Sequence, residues 1–375
     1  VEDYSIEQRG QKKKPEGITW PLRFLRRGRP RGQIHLRFGE GLTIRELVEP
    51  AELEAGIDDR QKQVLVPTLA YEVAVRMNAA TPITATANDT LILLAGGNRA
   101  HSLAEIQVPA RAGAALIRRR DLEIVGRSDF RDEDAFLATL AQLHATGIVS
   151  YNDEGTERLY AISADQHLNA AYYRNTAIHY FILDAFVEIA LLDAASASGD
   201  RKEAFFERTS ELRELFKFEF YLPRRADYRS ELERRVSDRF EDWDEALRDG
   251  EAGVREAFNR VQLLVAHGVL RSFADAYRVA ASVLATADAD ALDNKSAFLS
   301  RCLKTGKQEL LQGRVFSAES ISKSLYETGW KLADYRGLLA ADQAEARREF
   351  HDDLRRIKRR LDEILAITTA QAENL

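Results

Sequence analysis

Two histidines precede an acid by five residues: His35 before Glu40, and His179 before Asp184. An imidazole oriented by a carboxylate is a general base able to take a proton from an attacking hydroxyl, so these pairs are the first candidates for catalysis. Seven histidines and 60 acids in 375 residues produce about one such pair by chance. On a helix, residues five apart lie about 140° from each other around the axis. His179 and Asp184 then face different ways, and the intervening Tyr-Phe-Ile-Leu is core-like. We read them as a core-edge histidine and a separate helix acid. No Gly-x-Ser-x-Gly elbow, phosphate-binding glycine loop or His-Glu-x-x-His motif occurs.

Basic side chains are concentrated at the start. Residues 1–31 carry nine of them against four acids, a net of +5 on a chain whose total is −6. A basic end on an acidic body suits a local anionic partner (phosphate, anionic lipid or nucleic acid) or is a solvated charge run. Within it, Ile18, Trp20, Leu22, Phe24 and Leu25 interleave with Arg23, Arg26, Arg27, Arg29 and Arg31. Trp20, Arg23, Phe24, Arg26 and Arg27 are the membrane-interface candidates: Trp settles at headgroup level, and each Arg near an anionic surface contributes about 1 kcal/mol. The competing reading is a helix packed on a neighbouring core.

The elements that would carry these residues can be read from periodicity. Pro and Gly interrupt residues 1–50, and Gln33–Gly39 alternates Ile34, Leu36 and Phe38 with polar neighbours, a strand pattern. Thr43 with Glu46 forms a helix-capping pair. Leu69, Val73 and Met77 space a helix that Thr81-Pro82 stops. Two stretches share a helix–Gly–hairpin rhythm of winged-helix type, around Gly147 and around Gly268. Small polar runs at 196–201 and 285–293 are linker candidates. Phe350, Leu354, Ile357, Leu361 and Ile364 mark an apolar seam for docking on the body or on a second copy. Arg174-Asn175 reads as a brace of a helical domain against a catalytic one and not as a substrate contact, and Asp184 and Glu188, four apart on one helix face, as partners for such arginines.

Composition excludes several classes. With 45% hydrophobic and 30% charged residues the chain folds, with room for two or three cores. A lone Cys302 makes neither an internal disulfide nor a cysteine-based metal site. The apolar stretch 177–197 contains Asp184, Glu188 and Asp193, which suits a buried helix and not a membrane span. Residue 1 is Val and the only Met is Met77, so a processed end or a cut is expected there.

Four segments in order resemble one family. They are Asp3-Tyr4 through Arg9-Gly10-Gln11-Lys12-Lys13-Lys14-Pro15-Glu16, then Gly32–Glu46 (GQIHLRFGEGLTIRE), Leu69–Thr84 (LAYEVAVRMNAATPIT), and Tyr172-Tyr173-Arg174-Asn175 with His179. Together they resemble the C-terminal part of the membrane glycerol-3-phosphate 1-O-acyltransferases of bacteria and mitochondria, over roughly residues 1–225. Gly41 stands where that family usually has Pro, and Pro15 and Gly17 where many members have Lys and Ser.

The resemblance implies a mixed, mainly α fold. Residues 1–50 would close an α/β acyltransferase domain, and residues 51–375 would form a helical domain with winged-helix-like units, divisible near 196–201 and 285–293. It implies acyl transfer from acyl-CoA or acyl carrier protein to glycerol 3-phosphate, giving lysophosphatidate, at the cytoplasmic face of the cell membrane. The His-x-x-x-x-Asp catalytic half would lie before Val1, leaving no catalytic residue, metal or resident cofactor in this chain. Arg9 and Lys13 would edge the phosphate or CoA pocket, unless that loop is merely solvated. The expected partners are these substrates, an anionic membrane and a second copy held through the C-terminal helix, with no nucleic acid. The alternatives are a winged-helix regulator contacting nucleic acid through Arg118-Arg119-Arg120, or a structural interaction protein.

Overall fold

The computed structural model describes residues 35–48, 56–97, 99–125, 133–286 and 294–373. Fourteen α-helices dominate these residues. The first, α1 (Asp59–Ala80), begins where the Asp58 carboxylate accepts the Gln61 N–H and Gln61 returns the bond, and it ends at Thr81 before Pro82. A two-residue strand β1 (Ile83–Thr84) then leads into α2 (Ala85–Ala95), nine of whose residues are buried, and α3 (Leu103–Arg119). Strand β2 (Ile124–Val125) pairs in parallel with β1.

After α4 (Glu133–Ala145) the chain turns at Gly147, whose φ of +77° is the left-handed value that closes a helix. The hairpin β3 (Ser150–Asn152) and β4 (Leu159–Ala161) follows, with Tyr151 opposite Tyr160. Replacing Gly147 by Ala is expected to cost about 1 kcal/mol in unfolding free energy, because a Cβ strains this turn although nothing crowds it. Urea titration of the two chains measures it.

The remaining helices are α5 (His167–Asn175), α6 (Ile182–Ala195), α7 (Arg201–Phe216), α8 (Arg225–Arg239), α9 (Trp243–Arg248), α10 (Glu251–Arg260), α11 (Ala266–Ala285), α12 (Lys295–Leu311), α13 (Lys323–Tyr335) and α14 (Ala344–Ala372). The buried axis is α11, with α2, α6, α12, α13 and α14 packed around it. One core runs from Ile83 through Phe186, Phe216 and Tyr277 to Ile364; a smaller one lies under α2, α3, α4 and the hairpin.

Several sequence expectations change here. Residues 35–39 form no strand: Leu36 is 79% and Phe38 90% exposed, so their alternation marks no sheet face among the described residues. Thr43 and Glu46 do exchange their capping bonds, but around a single 3-10 turn, Ile44–Glu46. The helix–Gly–hairpin appears once, at Gly147. Around Gly268 it is replaced by continuous α11, because that glycine is a contact point: a Cβ there would come within 2.7 Å of the Ala95 Cβ on α2. Polar residues 196–200 form the short link between α6 and α7, and 287–293 lie outside the described residues.

The C-terminal seam docks on the body. Phe350, Leu354, Ile357, Leu361 and Ile364 are all buried within the chain, chiefly against α11. Of the two docking partners expected for this seam, the body is the one that covers its apolar stripe.

Candidate functional site

The second and third family-like segments meet around the C-terminal half of α1, and His179 of the fourth reaches the end of the same helix. Helix α1 leaves its last carbonyls without intrahelical donors. The single O–H of Tyr180 lies among three carbonyl oxygens at this end, Asn78, Ala79 and Thr81, at 3.0, 3.1 and 2.7 Å, and His179 Nε2 lies 3.0 Å from the Asn78 carbonyl oxygen. Burial depresses the pKa of His179, which suits a neutral ring donating this bond. Farther up α1, Tyr71 donates to the Leu222 carbonyl, and Glu72 pairs with Arg224. Residues 35–47 lie against the other side of α1, held by Arg76, which donates to the Gly41 carbonyl and to Glu46 Oε2 at 2.5 Å.

Between the segment and the helix is a recess of about 500 Å³ lined by His35, Arg37, Glu40, Val73, Arg76 and Met77, among others. Its surroundings are unusually apolar for an exposed surface. Besides Leu36 and Phe38, Met77 is 65% exposed, and Val73, four residues earlier on the same face of α1, also faces solvent. Helix α1 therefore lacks the core packing that its Leu69, Val73 and Met77 spacing suggests. A contiguous exposed apolar patch marks an interaction surface.

Neither His–acid pair becomes a catalytic dyad. His35 and Glu40 are exposed in irregular chain. His179 caps α1 from a 3-10 turn (Ile178–Tyr180), while Asp184 points from α6 into a cluster of arginines. Asp184 accepts a bidentate pair from Arg120 at 2.7 and 2.8 Å, with Arg235 and Arg239 nearby at 3.5 and 3.8 Å. Burial pushes the Asp184 carboxyl up, but the three guanidinium groups hold it below the ordinary carboxylate range. One turn on, the Glu188 carboxylate accepts Arg239 at 2.6 Å and the Val265 and Ala266 N–H groups at 2.8–3.0 Å, which caps α11. Burial outweighs these partners and raises its pKa.

The arginines serving Asp184 and Glu188 are thus not Arg174. That side chain is buried, donating to Asn175 at 2.7 Å and to Glu319, so it braces α5 against the turn Ala318–Ser320. Arg120, expected in one reading to meet nucleic-acid phosphate, is buried on Asp184 and Asp238, and Arg119 bonds the Asp238 carbonyl. Arg9, Lys13, Trp20, Arg23, Phe24, Arg26 and Arg27 lie outside the described residues. No group of three or more His, Cys, Asp or Glu suited to a metal occurs among the described residues, and none of their helices is long and apolar enough to cross a membrane. Cys302 is buried and its thiol is pushed up to about 12, far from a reactive thiolate.

Sequence reading missed Tyr71, Arg76 and Tyr180 as the residues that fasten the α1 face. It also missed Arg235 and Arg239. The repeated four-residue step, Asp184 to Glu188 on α6 and Arg235 to Arg239 on α8, was the available signal for the second pair.

Residues 4–342 match the family model described as the glycerol-3-phosphate acyltransferase C-terminal region. The chain is 36% identical over 379 aligned positions to acyltransferases named plsB1 from Mycobacterium tuberculosis and Mycobacterium bovis, covering 99% of this chain and 60% of each relative. It is 25% identical over 210 positions to a glycerol-3-phosphate acyltransferase of Actinobacillus pleuropneumoniae, covering 53% of this chain and 25% of that protein. The chain therefore spans about 60% of the length of the curated relatives it matches most fully.

Proposed function

The chain belongs to the family of glycerol-3-phosphate acyltransferase C-terminal regions, and from that premise we propose that it serves as the helical supporting part of a glycerol-3-phosphate 1-O-acyltransferase. The parent enzyme would transfer an acyl group from acyl-CoA or acyl carrier protein to the sn-1 hydroxyl of glycerol 3-phosphate. The observation that carries this reading is the α1 face, where the second and third family-like segments meet and leave Leu36, Phe38 and Met77 exposed. About 40% of each mycobacterial relative has no counterpart in this chain. The occupant we assign to the face is that remaining part, with the catalytic histidine and aspartate.

In this reading residues 1–50 complete the acyltransferase domain and residues 51–375 form the supporting domain. Arg9 and Lys13 edge its phosphate or CoA pocket, where compact cations favour dianions. The Trp20, Arg23, Phe24, Arg26 and Arg27 set rests on an anionic membrane at the cytoplasmic face. No resident cofactor is required.

The test is lysophosphatidate formation from labelled glycerol 3-phosphate and acyl-CoA. The 375-residue chain alone is expected to be inactive, and the chain joined to the preceding part of its parent active. In the joined protein, Phe38→Ser with Met77→Ser should lower kcat at least tenfold while the helical circular dichroism stays unchanged. Turnover by the chain alone would refute the assignment of catalysis to the missing part. Full activity in the double variant would remove the face from the assembly.

A further inference from the structure

Helix α12 (Lys295–Leu311) stands apart from the rest of the surface in charge. From Lys295 to Arg314 the chain carries five basic residues and a single acid, Glu309, on a protein whose total is −6. That acid is 8% exposed and is taken by Arg278 of α11, so it offsets nothing at the surface. Successive residues step 100° around a helix, which puts Arg301, Lys304, Lys307 and Leu311 within about 120° on one face. The opposite face is buried: Phe298, Leu299, Cys302 and Gly306 turn inwards, where α12 packs on α11 and α13. What remains outside is a straight convex stripe about 15 Å long from Arg301 to Leu311, with exposed Arg314 three residues beyond.

The side chains of Arg301, Lys304, Lys307 and Arg314 are exposed and make no hydrogen bond or ion pair among the described residues. Elsewhere exposed cations are tied to acids, as Arg229 is to Glu203 and Arg248 to Asp244, and on the adjacent α13 Lys323 takes Glu327 at 3.8 Å. Leu311, within the cationic stripe, is 89% exposed. Asp288, Asp290 and Asp293 precede α12 in sequence and lie outside the described residues. Lys304 stands about 15 Å along the helix from Asn294, beyond the screening length of about 8 Å at physiological salt, so acids at that end do not neutralise the stripe. Unpaired cations around one apolar side chain match a headgroup layer, which offers phosphates to the cations and the start of the acyl region to the leucine. A convex, straight face also matches a plane, whereas a bound peptide segment lies in a groove.

We propose that the exposed face of α12 docks on an anionic phospholipid surface, with Arg301, Lys304, Lys307 and Arg314 at the phosphates and Leu311 entering beneath them. The contact fixes which side of the helical body faces the membrane. It is distinct from the basic run at residues 20–27 and from acyl transfer, and its test does not depend on the enzyme's activity.

Flotation of the full 375-residue chain with vesicles at physiological salt gives the readout. The chain is expected to bind phosphatidylcholine vesicles that contain about one-third phosphatidylglycerol, and to leave pure phosphatidylcholine vesicles unbound. Arg301→Gln/Lys304→Gln/Lys307→Gln should lower the partition coefficient about 100-fold, and Leu311→Ser about tenfold. Helical circular dichroism should stay unchanged in both, because the three cations make no bond among the described residues and Leu311 is exposed. Arg23→Gln/Arg26→Gln/Arg27→Gln in a parallel arm separates the basic run near the start of the chain. A loss in the α12 triple variant supports the assignment whether or not this second variant also binds less. Undiminished binding by the α12 triple variant overturns it, as does a parent chain that ignores anionic vesicles. Equal affinity for soluble poly-glutamate would assign the stripe to an acidic protein and overturn the lipid occupant.

Discussion

Replacing Glu188 by Ala is expected to lower the unfolding free energy by roughly 3–5 kcal/mol, the cost of stranding a buried charge. Two losses combine. The buried N–H groups of Val265 and Ala266 at the N-terminus of α11 are satisfied by this one carboxylate, which reaches across from α6. Arg239, whose side chain is 3% exposed, would keep its charge and its bond to the Leu263 carbonyl but lose its close ion-pair partner, with Asp184 left at 3.8 Å. Because α11 is the axis on which five other helices pack, the loss should appear as a lower urea midpoint for the whole chain and not as local fraying. Glu188→Gln retains an acceptor for the α11 N–H groups and should lose clearly less. Equal midpoints for Glu188→Ala and the parent chain would show that the cap and the ion pair contribute nothing net.

That network also shows where sequence reading stops. Helix α1 and its stop at Thr81-Pro82, the seam of α14 and the Gly147 hairpin were legible because local periodicity and turn chemistry determine them. Gly268 was misread for a physical reason: glycine serves a turn through its backbone freedom and a helix crossing through its lack of a Cβ, and the letter is the same. The acids at 184 and 188 were legible as a pair on one face. Their partners were not, since Arg120 and Arg239 lie 64 and 51 residues away and any of 54 basic side chains was a candidate. His179 drew notice through its spacing to Asp184, yet its partner is a backbone carbonyl, which carries no side-chain signature. The α1 face was half legible. Its segments were recognisable one by one, but nothing in their spacing signals that Leu36, Phe38 and Met77 stay exposed.

The second large effect concerns pH. Asp89 lies in α2 with no exposure, and neither carboxylate oxygen has a hydrogen-bond partner. Burial raises its pKa well above the ordinary value, against a weaker opposing pull from Asn88, so the native chain keeps this group protonated. In the unfolded chain the same group ionises near pH 3.9. Above that pH the unfolded state has released a proton that the native state retains, so the contribution of Asp89 is fully present below about pH 3.9 and is lost as pH rises towards the native pKa, by up to about 1.4 kcal/mol per unit. Asp89→Asn keeps the shape and removes the titration. The variant should therefore gain on the parent as pH rises from 4 to 7, measured as the change in their difference in unfolding free energy by urea titration at each pH. The comparison cancels every other titrating group, including His267, whose depression to about 3 works in the opposite direction by weakening the fold as pH falls below about 6.5. A difference between variant and parent that stays constant from pH 4 to pH 7 would mean that Asp89 is ionised in the native helix, and that a cation or water not evident from its surroundings reaches it.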